Sequence, residues 1–411
     1  MRFVALDSWR GICALLVAIF HFEGYWHLYE FPLVRHAWLF VDFFFVLSGF
    51  VITHAYMDKL GTRNDVGIFF LRRFGRLWPL HAAVLGALVG IELSKLALNT
   101  LFHVPLENNP FQDNTAYSVE AIPTNLLLIQ GLGIHRSFTW NTPSWSISVE
   151  FWTYLAFAGV CYFSSTRRLE IAFATGICFF SVGIVFLFSH NFMATGYDYG
   201  LFRCLYGFFV GFLTYRIWEV TSPKFAVNGL FEIASLVLVI AFVSMVDQNI
   251  WSLAAPLVFA VVVWIFAHEN GPISTALIRR PFTYLGAWSY SIYMTHWLVL
   301  IVMYRTNTVI AKLAKNDVMS SFIDVTFPGD GKPVKLLYIV NMWTMDLMLA
   351  GYLLVVIALS ATAYTLIEQP SRKFFNRIGY RLSSRGTDTG GHPVTQPVQP
   401  GTLPSSPSPA L

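Results

Sequence analysis

Residues 9–28 read WRGICALLVAIFHFEGYWHL, about 20 residues, enough to cross a hydrocarbon core as a helix rising ~1.5 Å per residue. The stretch decides the fold because it recurs. Comparable runs lie at 36–57, 78–101, 144–163, 169–189, 199–218, 229–246, 250–268, 283–305 and 338–367, which makes about ten spans. The whole chain of 411 residues is 55% hydrophobic and 12% charged, with mean hydropathy +0.57, so lipid rather than water is its solvent. The expected fold is all-α, a polytopic transmembrane bundle of about ten helices over residues 1–380. From about 383 onward Pro, Ser, Thr and Gly dominate without apolar periodicity, so 381–411 is expected to be a disordered cytoplasmic tail.

Short loops rich in Lys and Arg stay in the cytoplasm. Lys59, Arg63, Arg72, Arg73 and Arg76 join spans two and three, Arg167 and Arg168 join four and five, and Arg279 and Arg280 precede span nine. Arg372, Lys373, Arg377, Arg381 and Arg385 follow the last span on the same side, so both termini are expected in the cytoplasm of a multi-pass inner-membrane protein. The 102–143 and 306–337 segments are then the outward loops and the expected specificity elements. Topology accounts for the formal charge of +4, and no soluble basic face remains for nucleic acid. Cys13, Cys161, Cys178 and Cys204 sit in apolar runs without CxxC spacing and read as packing residues. No internal repeat is evident, which counts against a duplicated transporter fold.

Titratable groups at bilayer depth are costly unless they face a cavity or a partner, so each is a candidate for function. Counting along the spans places His21 ~18 Å from the inner end of span one and His296 ~20 Å up span nine. The same arithmetic puts Asp42 and Glu150 each ~9 Å in from the outer surface, so four groups from four helices are expected in one layer. Taken singly, any of them is as well read as a hydrogen-bonded packing residue. Arg10 and His21 are eleven residues apart, three turns plus about 20°, which puts them on one helix face ~16 Å apart. A guanidinium at an inner mouth suits a phosphate and an imidazole suits proton transfer; the plainer alternative is that Arg10 only snorkels as an anchor. In FFLRRFGRLWPLH, Arg72 and Arg76 share a face with Arg73 beside them, a repulsive arrangement unless an anion binds. That stretch reads as a short helix ahead of span three, with Pro79 near a helix start. LSGF lacks a nucleophile elbow, so Ser48 and Gly49 read as small residues for close helix packing. Neither His21 with Glu23 nor His54 with Asp58 has a third ligand at metal spacing, so no metal site is expected.

Six blocks, in order, resemble the acyltransferase-3 family of integral membrane acyltransferases, to about residue 378. LDSWRGICALLVAIFHF resembles its first helix, VDFFFVLSGFVIT its second, and RRFGRLWPLH the arginine-rich stretch before its third. TPSWSISVEFWTY is similar to the block carrying Glu150, LGAWSYSIYMTHW to the late block with His296, and LIEQPSRKF to the closing Glu-x-Pro. Ser8 and Trp9 depart modestly from the pattern, and no fused soluble hydrolase domain is expected. The resemblance implies transfer of an acyl group, commonly acetyl, from cytoplasmic acyl-CoA to a hydroxyl of a carbohydrate, such as a surface polysaccharide or lipid-linked glycan. Polysaccharide-biosynthesis proteins would be the associated partners. Arg10, Arg72, Arg73 and Arg76 would then hold the coenzyme's phosphates. His21 would act as general base or carry the acyl group, and Glu150 or Asp42 would orient it. His296, Arg203, Trp145 and Ser146 are expected to bind substrate or support the site. A proton-coupled transporter using His21, Asp42, Glu150 and His296 as a relay is the rival from another class, and a purely structural scaffold is the third reading.

Overall fold

A computed structural model of the chain describes residues 2–103, 109–112, 116–222, 225, 227–313, 322–327 and 333–387. Ten helices fall on the ten apolar stretches: α1 (Val4–His21), α2 (Phe40–Tyr56), α3 (Arg63–Phe102), α4 (Trp145–Phe163), α5 (Arg167–Phe188), α6 (Gly200–Thr221), α7 (Gly229–Met245), α8 (Ala255–Phe266), α9 (Arg280–Leu313) and α10 (Met342–Ala363). One turn of π-helix, Tyr364–Glu368, leads from α10 into α11 (Gln369–Thr387). The protein is an all-α membrane protein. Helices α1, α2, α3, α5, α9 and α10 belong to the six segments long and apolar enough to cross a membrane, while α7 and Ile250–Phe266 are apolar but shorter. Helices α4 and α6 carry buried Ser146, Ser148, Arg203 and Arg216. Such side chains are tolerated where a helix meets protein rather than lipid.

Boundaries differ from the sequence expectation where the backbone finds other partners. Helix α1 starts at Val4 and ends at His21 instead of running to 28. Beyond it the chain turns extended: Tyr25 N–H donates to Leu337 O at 2.9 Å and Leu337 N–H to Glu23 O at 2.9 Å. These bonds tie it to a hairpin of β1 (Phe322–Val325) and β2 (Val334–Leu337), the departure from an all-helical chain. The arginine-rich stretch and the third span form a single helix, α3. A reciprocal Thr62–Asp65 capping box starts it and it continues through Pro79, which is therefore not near a helix start. Residues 121–141 do not behave as an external loop. Ala121, Asn125, Leu128, Trp140 and Asn141 are buried, and Leu128 O accepts from Ser148 Oγ and Trp152 Nε1 on α4, so this segment dips between helices. Ala121–Leu126 is a short helix, and the non-helical backbone after it is buried where protein groups take up its polar atoms. Residues 306–313 of the other expected loop instead continue α9 and 381–387 of the expected tail continue α11, while Glu107, Asp113, residues 314–321 and 328–332 and the tail beyond Thr387 lie outside the described residues.

Two helix pairs pack backbone to backbone. A Cβ on Gly49 would lie 1.9 Å from Phe208 O, and one on Gly211 1.9 Å from Val46 O, which brings α2 and α6 together. A Cβ on Gly11 would lie 2.4 Å from the Leu285 carbonyl carbon and one on Gly286 2.4 Å from Asp7 O, joining α1 to α9. Small residues allow this approach in a medium where apolar burial gives helices little reason to associate. Gly211→Ala should therefore cost about 1–3 kcal/mol through overpacking, whereas Gly86→Ala, with nothing within 4 Å of the new Cβ, should cost nothing. Thermal unfolding of the two variants in detergent checks this, and equal midpoints would contradict it.

Candidate active site

His21, the last residue of α1, meets His296 of α9. Val17 O can only accept, so the 2.9 Å contact to His21 Nδ1 assigns the ring proton to Nδ1. The same logic puts the His296 proton on Nδ1, 3.2 Å from Ile292 O. His296 Nε2 is then an acceptor, 3.2 Å from His21 Nδ1. Both interactions engage Nδ1 and fix the ring, and His21 lines a cavity together with Trp38, Phe138, Trp145, Thr195, Arg203 and Gln248. A ring held at Nδ1 is what a general base acting through Nε2 needs.

Asp42 does not orient that imidazole. It is fully buried and paired with Arg203, whose Nε donates to Oδ1 at 2.9 Å and Nη2 to Oδ2 at 2.7 Å. Arg203 Nη1 donates to Thr195 O at 3.0 Å, and the guanidinium lies 5.3 Å from the Trp38 ring centroid and 5.4 Å from that of Trp145. Charge is thus neutralised inside the apolar bundle by a bidentate, stacked geometry that Lys would not reproduce.

Glu150 is elsewhere. Its Oε1 accepts from Ser48 Oγ at 2.6 Å and from Tyr154 OH at 2.7 Å, in a second cavity lined by Arg10, Arg73, Arg76, Ser146 and Ser289. Arg10 Nε donates to Ser289 Oγ at 2.7 Å and its Nη2 to Gly286 O at 3.2 Å. Arg73 donates to Tyr56 OH at 3.1 Å. Arg72 points away, its guanidinium 4.8 Å from the centroid of the Tyr380 ring on α11. Three of the four expected arginines therefore share one cavity, and Arg73 with Arg76, not Arg72 with Arg76, is the pair that faces it. Ser48 is a cavity hydroxyl rather than a packing residue; Gly49 beside it does the packing.

The four groups expected in one layer are thus divided: His21 lines one cavity and Glu150 the other, while Asp42 and His296 line neither. The cause is the inserted segment before α4: Asn141 Nδ2 donates to Met294 O at 3.1 Å, so α4 begins near the depth of His296. Glu150, nine residues further on, lies ~13 Å deeper along the helix. Val41 and Tyr293 line both cavities. Tyr293 donates to Pro143 O at 3.0 Å and accepts from Ser146 Oγ at 2.8 Å.

No role is expected from sequence for Tyr293, Tyr154 or Ser289, and Glu368 stands only as the Glu of the closing Glu-x-Pro block. Tyr293 and His296, three residues apart, share a helix face, a signal that was available. Glu368, on the π-helical turn, is buried, accepts from Ser291 Oγ at 2.8 Å and lies 3.6 Å from Arg372. Among the described residues no group of three His, Cys, Asp or Glu side chains is placed to hold a metal ion.

Residues 3–365 match the family described as an acyltransferase domain, Acyl_transf_3. A Rhizobium radiobacter protein, named as protein 2 in the picA locus, is 32% identical over 155 residues, 36% of this chain and 77% of that protein. A Staphylococcus aureus (strain COL) protein named "Putative O-acetyltransferase" is 23% identical over 326 residues, 73% of this chain. The match covers 51% of that protein, so the chain spans about half the length of this relative. The acyltransferase MdmB of Streptomyces mycarofaciens is 26% identical over 282 residues, 63% of this chain and 67% of that protein. No solved structure matches.

Leaving either charge of the Asp42–Arg203 pair alone in the bundle should cost about 3–5 kcal/mol. Asp42→Ala should therefore lower the unfolding midpoint sharply, and the double replacement Asp42→Leu with Arg203→Met should recover much of the loss. A stable Asp42→Ala protein would contradict the structural role.

Proposed function

The chain belongs to the acyltransferase-3 family and is a membrane acyltransferase, and from that premise we propose that it O-acylates a carbohydrate. The donor is acyl-CoA, with acetyl the expected acyl group, and the arginine cavity opens to the cytoplasm of an inner-membrane protein with both termini inside. The observation that carries this reading is His21, fixed at Nδ1 by Val17 and His296 and lining a cavity that shares Val41 and Tyr293 with the arginine cavity.

Arg10, Arg73 and Arg76 bind the coenzyme's phosphates, where guanidinium forks match anionic oxygens. Arg72, turned to Tyr380, does not. Glu150 would repel a phosphate, so its place is beside the amides and hydroxyl of the pantetheine arm, which donate to a carboxylate. The acceptor hydroxyl meets the thioester at His21. Nε2 takes the hydroxyl proton as the oxygen bonds to the acyl carbon; the C–S bond breaks and the leaving thiolate takes that proton back. His296 positions His21 without touching substrate, and Arg203 with Trp38 and Trp145 forms the wall against which the acceptor rests. Aromatic rings beside Gln248 and Thr195 suit a sugar, which has both apolar faces and hydroxyls.

The transporter reading needs His21, Asp42, Glu150 and His296 in one relay. Asp42 is held bidentately by Arg203, and Glu150 faces the other cavity, which favours the enzyme.

His21→Ala should leave the protein in the membrane and lower acylation of the cell's surface glycans by about 10²–10⁴-fold, the usual share of a general base. Mass spectrometry of those glycans, with and without the protein and with the variant, reads the effect and names the acyl group. Undiminished acylation in His21→Ala sinks the proposal. Arg76→Ala should raise KM for acetyl-CoA about tenfold or more, as expected on losing one charge-assisted hydrogen bond, with kcat little changed.

A further inference from the structure

The two cavities touch through one pair of side chains. Val41 on α2 and Tyr293 on α9 line both, which places them between the arginine side and the His21 side. Tyr293 is buried and held at its hydroxyl: it donates to Pro143 O at 3.0 Å and accepts from Ser146 Oγ at 2.8 Å. Ser146 Oγ also lies 3.0 Å from Pro143 O, so hydroxyl, hydroxyl and carbonyl form a closed triangle on the first turn of α4 and the residues before it. The ring is set by Phe44, edge-on at 5.7 Å between centroids, and by His296 at 5.8 Å. Both latch partners belong to the same inserted entry to α4. The hydroxyl is thus fixed in place by Ser146 and Pro143, which have no assigned part in binding phosphates or in moving a proton at His21.

We propose that Tyr293 is a gating residue, latched by Ser146 and Pro143, that keeps the cavities apart until an acyl-CoA arm displaces it; the proposal rests on the acyl-transfer reading above. Separation has a chemical purpose. A thioester that reaches His21 with only water present is hydrolysed: water oxygen bonds to the acyl carbon, the C–S bond breaks, and a carboxylic acid and free coenzyme A result. A latched neck limits that loss.

The test uses purified full-length protein in lipid nanodiscs with acetyl-CoA as the probe and no carbohydrate, reading release of free thiol. Tyr293→Phe keeps the ring and loses both latch bonds, and Ser146→Ala loses one. Hydrolysis should rise about fivefold to tenfold in Tyr293→Phe, the factor for one ordinary hydrogen bond or slightly more, and by less in Ser146→Ala. Adding His21→Ala should return both to background. A structural defect would lower activity, so a rise that depends on His21 is specific to an opened neck. Unchanged or lower hydrolysis in both latch variants, or a rise that survives His21→Ala, overturns the gate. The transfer reading fails separately, if the glycan acyl mass persists in His21→Ala cells; loss of that mass with unchanged hydrolysis in the latch variants sinks only the gate.

Discussion

The contact of α1 with α9 through Gly11 and Gly286 is the constraint on which the site depends. Each glycine admits backbone of the other helix where a Cβ would lie 2.4 Å from it, so the two helices run side by side from the arginine end to the histidine end. Arg10 then falls beside Gly286 and Ser289, and His21 beside His296. Two elements carry both poles of the chemistry, and the spacing between poles is covalent: eleven residues on α1, ~16 Å. Shifting α1 against α9 by one turn would separate every one of these pairs at once.

Around that axis the remaining polar groups divide by what the apolar bundle requires of them. Asp42 and Arg203 neutralise each other and pack between aromatic rings, which makes them a fixed wall beside His21. Arg10, Arg73 and Arg76 face a cavity lined by one carboxylate, Glu150, which already accepts from two hydroxyls, and Arg10 has a further carboxylate near, Asp7 at 3.4 Å. An excess of positive charge in a cavity with low-dielectric walls is a standing attraction for an anion. The other cavity is lined by His21. On the proposed function the first holds the donor and the second the acceptor, and neither needs a group from the other's set.

Much of this was legible in the sequence, and the limits were physical. Ten apolar runs gave ten helices because length and hydrophobicity suffice when the solvent is lipid. Arg10 and His21 could be placed on one face because both sit on one helix, where 3.6 residues per turn fixes the relation. Depth compared between helices failed for Glu150, since nothing in TPSWSISVE says that the chain before it has already dipped to the level of Met294. Facing failed for Arg72 and Ser48: neighbours on a helix point ~100° apart, so Arg72 turns to Tyr380 while Arg73 enters the cavity, and Gly49 packs while Ser48 bonds to Glu150. The partner of Asp42 lay 161 residues away on another helix, where no periodicity reaches.

The central claim is that a coenzyme thioester enters past the arginines and meets a hydroxyl at His21. An electron cryomicroscopy structure with a non-hydrolysable acetyl-CoA analogue tests it most directly. Phosphates should lie against Arg10, Arg73 and Arg76, the pantetheine arm along Glu150, and the acyl carbon beyond Val41 and Tyr293 within ~4 Å of His21 Nε2, near attack distance. Phosphates bound away from those arginines, or an acyl carbon that stays on the Glu150 side of the neck, would contradict it.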